Sequence, residues 1–274
     1  MFQYPQINPV AIKLGPFKVH WYGIMYLLSF IGGYWLLHYR AKNRPKLSPV
    51  RPEQISDLIF YLALGVVLGG RVGYCLFYAP YLLTEFGGGF PWWGVLKVTQ
   101  GGMSFHGGFL GVLLTGLLFC RKYGINWLDL MDFIAPVVPL GLFCGRLGNF
   151  INGELWGRTT DVPWGIIFPH AGPEPRHPSM LYEALLEGVV LFVLLWWFSG
   201  KPRPRMAVGT LFLIGYGGFR FLVEFVRQPD AHLGFIAFNW LTMGHLLSLP
   251  MILAGIVLMI YAYQKPVYKG RSKV

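Results

Sequence analysis

A polar stretch of fourteen residues, GRLGNFINGELWGR (Gly145–Arg158), follows an apolar run and contains residue types that can bind an anion. If the stretch begins as a helix, Arg146 and Asn149 lie three residues apart and share a face. Its four glycines let backbone approach a ligand or another helix closely. A cation and amides at the end of an apolar span indicate either an anion site or a structural polar network.

A second row of polar residues lies in LFLIGYGGFRFLVEFVRQPD. Tyr216, Arg220 and Glu224 are spaced by four, so they stack on one face of a helix, and Arg227 continues the row. One interpretation is an ion pair between Arg220 and Glu224 with no ligand. The other is a phosphate clamp held by the glutamate, because a planar guanidinium donates two hydrogen bonds to an oxyanion.

Two histidine-containing segments add candidates for proton transfer. His106 lies in GGMSFHGGFLGVLL, between glycines and an apolar helix, and a reference pKa of about 6.5 suits a general base. The segment PRHPSMLYEALLEG contains His177, Ser179 and Glu183, and we expect Ser179 to cap the helix that follows. No GxSxG motif surrounds Ser179, which argues against a serine hydrolase.

The composition places these residues in a membrane protein. The chain is 54% hydrophobic and 13% charged, with a mean hydropathy of +0.49, whereas soluble proteins carry about a quarter charged residues. A span needs about 20 mostly apolar residues. We therefore expect an all-α integral membrane protein, a single domain over residues 1–274 with about seven transmembrane helices. The predicted spans are Trp21–Tyr39, Ile55–Tyr74, Phe105–Phe119, Phe133–Phe150, Leu181–Phe198, Val208–Val226 and Leu246–Tyr263.

The distribution of basic residues predicts the orientation. Fourteen lysines and arginines fall in alternate loops and the C-terminal tail, against six in the remaining loops. Cytoplasmic loops carry such an excess, so the N-terminus is predicted outside and the C-terminus in the cytoplasm. The same rule accounts for the net charge of +11 without a nucleic-acid partner.

Three arginines lie inside the predicted spans: Arg71, Arg146 and Arg220. A charge at mid-membrane costs roughly 2.5–3.5 kcal/mol on insertion scales, so such residues pair, line water or serve a site. In the predicted orientation these arginines, together with His106 and Glu183, fall at one depth. We therefore expect a site open to the outer leaflet.

Small residues have structural explanations. Glycines repeated every four residues predict close packing of helices, namely Gly65, Gly69 and Gly73, then Gly107 and Gly111, and finally Gly141 and Gly145. Three cysteines, Cys75, Cys120 and Cys144, lie in apolar stretches, and their odd number argues against a disulfide framework. No Cys/His pair has zinc spacing, so we expect no metal site.

Five segments, in order, resemble the bacterial prolipoprotein diacylglyceryl transferases. They are HWYGIMY (20–26), GGMSFHGG (101–108), GRLGNFINGELWGR (145–158), RHPSMLYE (176–183) and GYGGFRFLVEFVRQPD (215–230). The resemblance extends over nearly the whole chain, and the fourteen-residue segment is its most specific part.

The resemblance implies an enzyme of the bacterial cytoplasmic (inner) membrane. Such an enzyme transfers the diacylglyceryl group of phosphatidylglycerol to the lipobox cysteine of a prolipoprotein, just after its signal peptide, and releases glycerol phosphate. The implied partners are phosphatidylglycerol, the prolipoprotein signal peptide and membrane lipid, with no cofactor. A polytopic lipid or anion transporter is the alternative, but it should show midplane binding groups and inverted repeats.

The resemblance also implies which residues form the site, because the family's site residues can be matched to positions in these motifs. The family's essential histidine falls on His106, its phosphatidylglycerol-binding arginine on Arg146, and its second essential arginine on Arg220. The other matched positions are Tyr22, Asn149, Glu154, Gly157, Glu183, Tyr216 and Glu224. On this basis Arg146 and Arg220 hold the phosphate, and His106, or a neighbour that it polarises, helps to deprotonate the thiol.

Overall fold

The computed structural model describes residues 2–15, 17–87, 89–98, 101–229 and 234–264. The basic tail residues used in predicting the orientation, Lys265, Lys269, Arg271 and Lys273, lie outside the described residues. Helices dominate the described chain: α1 Trp21–Asn43, α2 Ile55–Phe77, α3 Phe105–Tyr123, α4 Trp127–Ile134, α5 Val138–Asn152, α6 Ser179–Glu183, α7 Leu191–Phe198, α8 Ala207–Glu224 and α9 Met243–Tyr263. A π-helix, Ala184–Val190, joins α6 to α7, and the short strands are β1 Phe2–Gln3, β2 Val10–Leu14, β3 Phe17–His20 and β4 Ile166–Ile167.

The length and apolar composition of the helices identify the protein as an integral membrane protein. Four described helical segments are long and apolar enough to cross a membrane, namely Pro52–Phe77, Ser179–Phe198, Ala207–Glu224 and Met243–Tyr263. Together, α4 and α5 also meet this criterion, with a bend of 50° between them. The predicted spans Trp21–Tyr39 and Phe105–Phe119 coincide with α1 and α3, whose membrane crossing stays a prediction.

The predicted fourth span, Phe133–Phe150, is broken rather than continuous. The helix stops at Ile134 and restarts at Val138. Pro136 lies in this interval, and proline cannot donate its backbone nitrogen and collides with the preceding turn. The predicted span therefore corresponds to part of the bent pair α4 and α5 rather than to one continuous helix.

The chain divides into two compact units, residues 1–48 with 131–274, and residues 49–130. The predicted single domain stays a prediction. In the second unit, α2 packs on α3 through the predicted glycines: a Cβ on Gly73 would lie 2.7 Å from the Cα of Gly107, and one on Gly69 2.8 Å from the Cα of Gly111. Small residues let helix backbones approach this closely in lipid.

The third glycine pair does not behave in this way. A Cβ on Gly141 or Gly145 would meet nothing within 4 Å among the described residues. The predicted helix contact at these two glycines is therefore wrong. The three cysteines are free and buried, as expected for small core residues.

Arg71 has a different role from the one its position in the sequence indicated. Its side chain is buried and donates to five backbone carbonyls of one loop. The acceptors are the carbonyls of Gly94, Val95, Lys97, Gly101 and Gly102, at 2.7–3.3 Å. A guanidinium has five N–H donors, so these bonds use all of them. Arg71 therefore fixes the loop that leads into α3.

We predict that Arg71→Lys loosens this loop. Lysine has three donors, so at least two of the five carbonyls lose their partner, and each buried unpaired group costs about 1–3 kcal/mol. Proteolysis at residues 94–98 should become faster, and the thermal unfolding midpoint should fall. Arg121→Lys, on the exposed end of α3, is the matched control and should change neither measurement. Unchanged proteolysis in Arg71→Lys would contradict the role.

The first unit brings the N-terminus onto the end of α5. β1 pairs in parallel with β4, and Tyr4 lies in a buried cluster with Ile166, Phe168 and Met180. The Tyr4 hydroxyl is 2.8 Å from the Phe150 carbonyl oxygen. Burial raises the pKa of Tyr4, so it remains a neutral donor. This cluster fixes the end of α5 against the segment that leads into α6.

Candidate functional site

Glu183 is the centre of a buried ionic cluster in the first unit. It ends α6, and its side chain is fully buried. Its Oε2 lies 3.0 Å from Nε of Arg146 on α5. Its Oε1 contacts Nη1 of Arg220 on α8 and lies 3.2 Å from Nη1 of Arg227. A carboxylate buried without partners would cost a great deal of free energy, so the three guanidiniums are what permits its burial.

The π-helix supplies a second carboxylate to Arg146. Glu187 is fully buried, and its Oε2 lies 3.3 Å from Nη2 of Arg146. Gly188 allows this approach, since a Cβ there would lie 2.7 Å from the Cβ of Phe143 on α5. π-Helical turns occur often at functional sites, where they reposition a side chain. Arg146 is thus held by two carboxylates from one helical segment.

Glu224 provides the third carboxylate. Its Oε2 lies 2.9 Å from Nη2 of Arg220 and 3.9 Å from Nε of Arg227. Its Oε1 accepts a hydrogen bond of 2.8 Å from the hydroxyl of Thr242, which precedes α9. The predicted ion pair between Arg220 and Glu224 is confirmed, and it is one part of a larger network.

The arginine–glutamate cluster therefore consists of Arg146, Arg220, Arg227, Glu183, Glu187 and Glu224. Its glutamate side chains are 0–4% exposed, whereas the arginine side chains are 12–18% exposed. The cations are thus the accessible members, and the carboxylates lie behind them. Such an arrangement orients guanidinium groups before a ligand arrives and presents positive charge to an incoming anion.

Two tyrosines border the cluster. The Tyr216 phenol interacts electrostatically with Arg146, Arg220, Glu183 and Glu187. Tyr22, at the start of α1, packs against Gly148, where a Cβ would lie 2.8 Å from its ring. Both residues were predicted to belong to the site, and the structure brings both to the same region as Arg146.

Asn149 and Glu154 hold the end of α5. Asn149, which is buried, donates from Nδ2 to Oε1 of Glu154 at 2.9 Å, and Asn152 does so at 3.2 Å. The turn between them uses Gly153 at φ +66°. These contacts fix the helix end one turn beyond Arg146.

Gly157 lies where three chain segments meet. Its N–H donates to the His177 carbonyl at 2.8 Å, and the next N–H, of Arg158, donates to the Val226 carbonyl at 2.8 Å. A Cβ at Gly157 would lie 2.5 Å from the Val226 oxygen and 2.7 Å from the His177 Cβ. Any side chain here would push apart the segments that lead to Glu183 and away from Arg220.

We predict that Gly157→Ala lowers stability and activity together. Its Cβ meets backbone, which cannot rotate away, and overpacking of this kind typically costs about 1–3 kcal/mol. Thermal unfolding and a transfer assay on the same preparation would measure both effects. Gly141→Ala is the matched control, because its Cβ would face open space among the described residues, and it should remain within twofold in activity. A fully active, equally stable Gly157→Ala protein would contradict the packing argument.

His106 belongs to the second unit, in a different part of the sequence from the residues described above. It is the second residue of α3, is exposed, and has the ring of Phe105 edge-on at 5.7 Å. Ser104 caps this helix by accepting from the Gly107 N–H at 3.2 Å. The catalytic role of His106 stays a prediction.

The structure corrects one assignment and adds several residues. Ser179 does not cap α6: its hydroxyl donates to the Leu155 carbonyl at 2.9 Å, and the cap position is Pro178. Glu187, Thr242 and His245 were absent from the predicted site, and Arg227 was predicted only to continue the row of Tyr216, Arg220 and Glu224. For Glu187 a signal existed, since it follows Glu183 by four residues. Thr242 and His245 had none, because α9 is otherwise apolar. Within the described residues, no group of three His, Cys, Asp or Glu side chains is placed to hold a metal ion.

Comparison with known proteins gives consistent results over the full chain. The family model for prolipoprotein diacylglyceryl transferase matches residues 9–261. A phosphatidylglycerol–prolipoprotein diacylglyceryl transferase of Chromohalobacter salexigens is 57% identical over 273 residues, which is 100% of this chain and 99% of that protein. Proteins of the same name from Legionella pneumophila (strain Paris) and Francisella tularensis (strain SCHU S4) are 60% and 56% identical, over 93% and 100% of this chain and 97% and 99% of theirs.

Proposed function

This chain belongs to the prolipoprotein diacylglyceryl transferase family, and on that premise we propose that it transfers the diacylglyceryl group of phosphatidylglycerol to a prolipoprotein. The acceptor is the thiol of the lipobox cysteine, the product is a thioether, and glycerol phosphate is released. The reaction is the first step of bacterial lipoprotein maturation. The enzyme is a membrane transferase, and its two substrates are a phospholipid and a signal-peptide-bearing protein.

The shared carboxylate of Glu183 is the observation that supports this function most directly. It holds Arg146 and Arg220, from two different helices, at opposite oxygens, and both guanidiniums remain partly exposed. Two adjacent forked donors match a phosphate group, which offers several acceptor oxygens. Arg146 and Arg220 therefore bind the lipid phosphate in this proposal.

The same arrangement favours the chemical step. Sulfur forms a bond to a glycerol carbon, the bond from that carbon to the phosphate oxygen breaks, and the electron pair leaves with the phosphate. The phosphate changes from a diester with one negative charge to a monoester with more. Fixed guanidiniums consequently bind the transition state more tightly than the substrate, which is the requirement for catalysis.

The thiol needs a proton acceptor, and His106 is proposed for that role from its matched position in the family. A free cysteine has a pKa of about 8.5, so only a small fraction is thiolate at neutral pH. We predict that His106→Gln loses most turnover near neutral pH and regains part of it as the pH rises towards 8.5, because the thiol then ionises unaided. The pH profile of kcat/KM measures this, with the exposed His170→Gln as control. Near-normal turnover with an unchanged profile would remove His106 from the mechanism.

The membrane placement is also proposed. Seven spans, an outside N-terminus and a cytoplasmic C-terminus are supported by the alternation of basic residues, and they direct the cluster to the outer leaflet of the cytoplasmic membrane. Translocated prolipoproteins and phosphatidylglycerol are both accessible there. A reporter that works only on the outer side of the membrane, fused to the C-terminus, should be inactive. Its activity would overturn this orientation.

The decisive experiment uses the purified protein, phosphatidylglycerol and a lipobox peptide. Transfer adds the mass of one diacylglyceryl unit to the cysteine and releases glycerol phosphate in equal amount. A peptide with serine in place of the cysteine should gain no mass. Binding of phosphatidylglycerol with no mass gain in either peptide would instead favour the transporter alternative.

A further inference from the structure

Behind the arginine–glutamate cluster, a row of polar contacts runs from α9 to Arg220 and ends in an ion pair. Nδ1 of His245 lies 3.0 Å from Oγ1 of Thr242. The Thr242 hydroxyl lies 2.8 Å from Oε1 of Glu224, whose other oxygen, Oε2, lies 2.9 Å from Nη2 of Arg220. Each of the first three residues is at least 97% buried, so water does not compete for these contacts.

The His245 ring is enclosed by aromatic side chains. Phe225, Phe221 and Trp240 surround it, with ring centroids at 4.6, 4.7 and 5.4 Å. Its Nε2 is buried and has no hydrogen-bond partner among the described residues. The polar contacts of the ring are thus concentrated at Nδ1, which faces Thr242.

The position of the ring proton follows from the contacts of Nδ1. The buried backbone N–H of Thr242 donates to Nδ1 of His245 at 3.2 Å, so Nδ1 is an acceptor and the ring proton is assigned to Nε2. The single hydroxyl proton of Thr242 goes to Oε1 of Glu224 at 2.8 Å. His245 therefore holds the backbone of Thr242, and Thr242 holds the carboxylate.

The start of α9 reinforces the contact with Glu224. A Cβ on Gly244 would lie 2.5 Å from both oxygens of that carboxylate, so only glycine leaves room for it there. The carboxylate therefore rests on the first turn of α9, where the helix dipole favours negative charge. Three features of one short segment, residues 242–245, act on the same oxygen atoms.

We propose that Thr242 and His245 are positioning residues for Arg220. His245 accepts from the Thr242 backbone and fixes it, and the Thr242 hydroxyl donates to Oε1 of Glu224, so that Oε2 holds the Arg220 guanidinium in the orientation that binds phosphate. The inference rests on the proposed function, because it takes Arg220 as a ligand of the lipid phosphate. Neither residue contacts the phosphate, and both act through Glu224.

Four variants test the contacts from His245 to Arg220 one group at a time. Thr242→Val keeps the shape and removes the hydroxyl, whereas Thr242→Ser keeps the hydroxyl. His245→Leu removes Nδ1, whereas His245→Asn keeps a side-chain oxygen that can accept near its place. Thr242→Val removes the hydrogen bond to the charged Glu224, and His245→Leu removes the group that fixes its donor. Each should lower kcat/KM by about tenfold or more, and Thr242→Ser and His245→Asn should retain most of the original kcat/KM. Ser248→Ala is the control. This buried α9 hydroxyl donates at 2.7 Å to the Gly244 carbonyl and is not one of the groups that connect His245 to Arg220.

A double-mutant cycle with Arg220→Lys separates positioning from general destabilisation. If Thr242 acts through Arg220, the tenfold cost of Thr242→Val should shrink to less than about twofold in the Arg220→Lys background, because coupled residues are not additive. An equal cost in both backgrounds would overturn the positioning role and leave the phosphate clamp intact. A fully active Arg220→Lys protein would instead overturn the clamp itself. The cycle is repeated with His245→Leu, and with the Kd for phosphatidylglycerol in nanodiscs, so that slow or poorly folding variants still give an answer.

Discussion

Glu183→Gln is expected to lower kcat/KM by at least about 100-fold. Glu183 is fully buried and contacts three guanidiniums. Glutamine has the same shape but turns its amide N–H₂ towards one set of arginine donors. Removing one partner of a buried ionic network typically costs about 3–5 kcal/mol, and here it leaves an excess of buried positive charge. Arg146 and Arg220 would then lose the group that holds them side by side.

The measurement is kcat/KM for the lipobox peptide, together with thermal unfolding in the same detergent. Glu85→Gln is the matched control, because it removes the same charge from a partly exposed carboxylate that pairs with Lys97. Pairs near the surface contribute about 0–1 kcal/mol, so this control should be nearly neutral. If Glu183→Gln kept transfer within threefold of the original protein, the shared carboxylate would not be what organises the site.

Arg146→Ala is expected to abolish transfer while the protein still inserts into the membrane. The substitution removes charge-assisted hydrogen bonds to the phosphate, which strengthen as the leaving group gains charge. It also removes the cation that pairs with Glu187. The single variant should therefore lose stability as well as activity, which by itself does not distinguish a ligand contact from a structural one.

The double variant Arg146→Ala with Glu187→Gln separates the two roles. It removes both charges of the pair, so a large part of the lost stability should return, as replacing both partners costs less than orphaning one. Transfer should remain absent, because no guanidinium is restored. Recovery of transfer in the double variant would show that Arg146 acts only as a counter-charge for Glu187. Arg121→Ala, at an exposed position, controls for loss of an arginine.

The sequence alone determined the class of protein and much of its local organisation. Apolar runs predicted where helices form, since hydrophobic length is a local property of the chain. Residue spacing placed Tyr216, Arg220 and Glu224 on one face of α8, and the ion pair between the last two is present. The repeated glycines predicted the α2–α3 contact for the same reason, because each set lies on one face of its helix.

Tertiary structure alone decided what each charged residue does. Arg71 and Arg146 look alike in the sequence, each near the end of an apolar helix next to glycines. Arg71 nevertheless donates its hydrogen bonds to the backbone carbonyls of one loop, whereas Arg146 and Arg220 both pair with Glu183. The placement of Thr242 and His245 behind Glu224 was equally invisible. Helical periodicity fixes which residues share a face, but the partner of that face depends on how the helices rotate and pack, and that is settled by many distant contacts together.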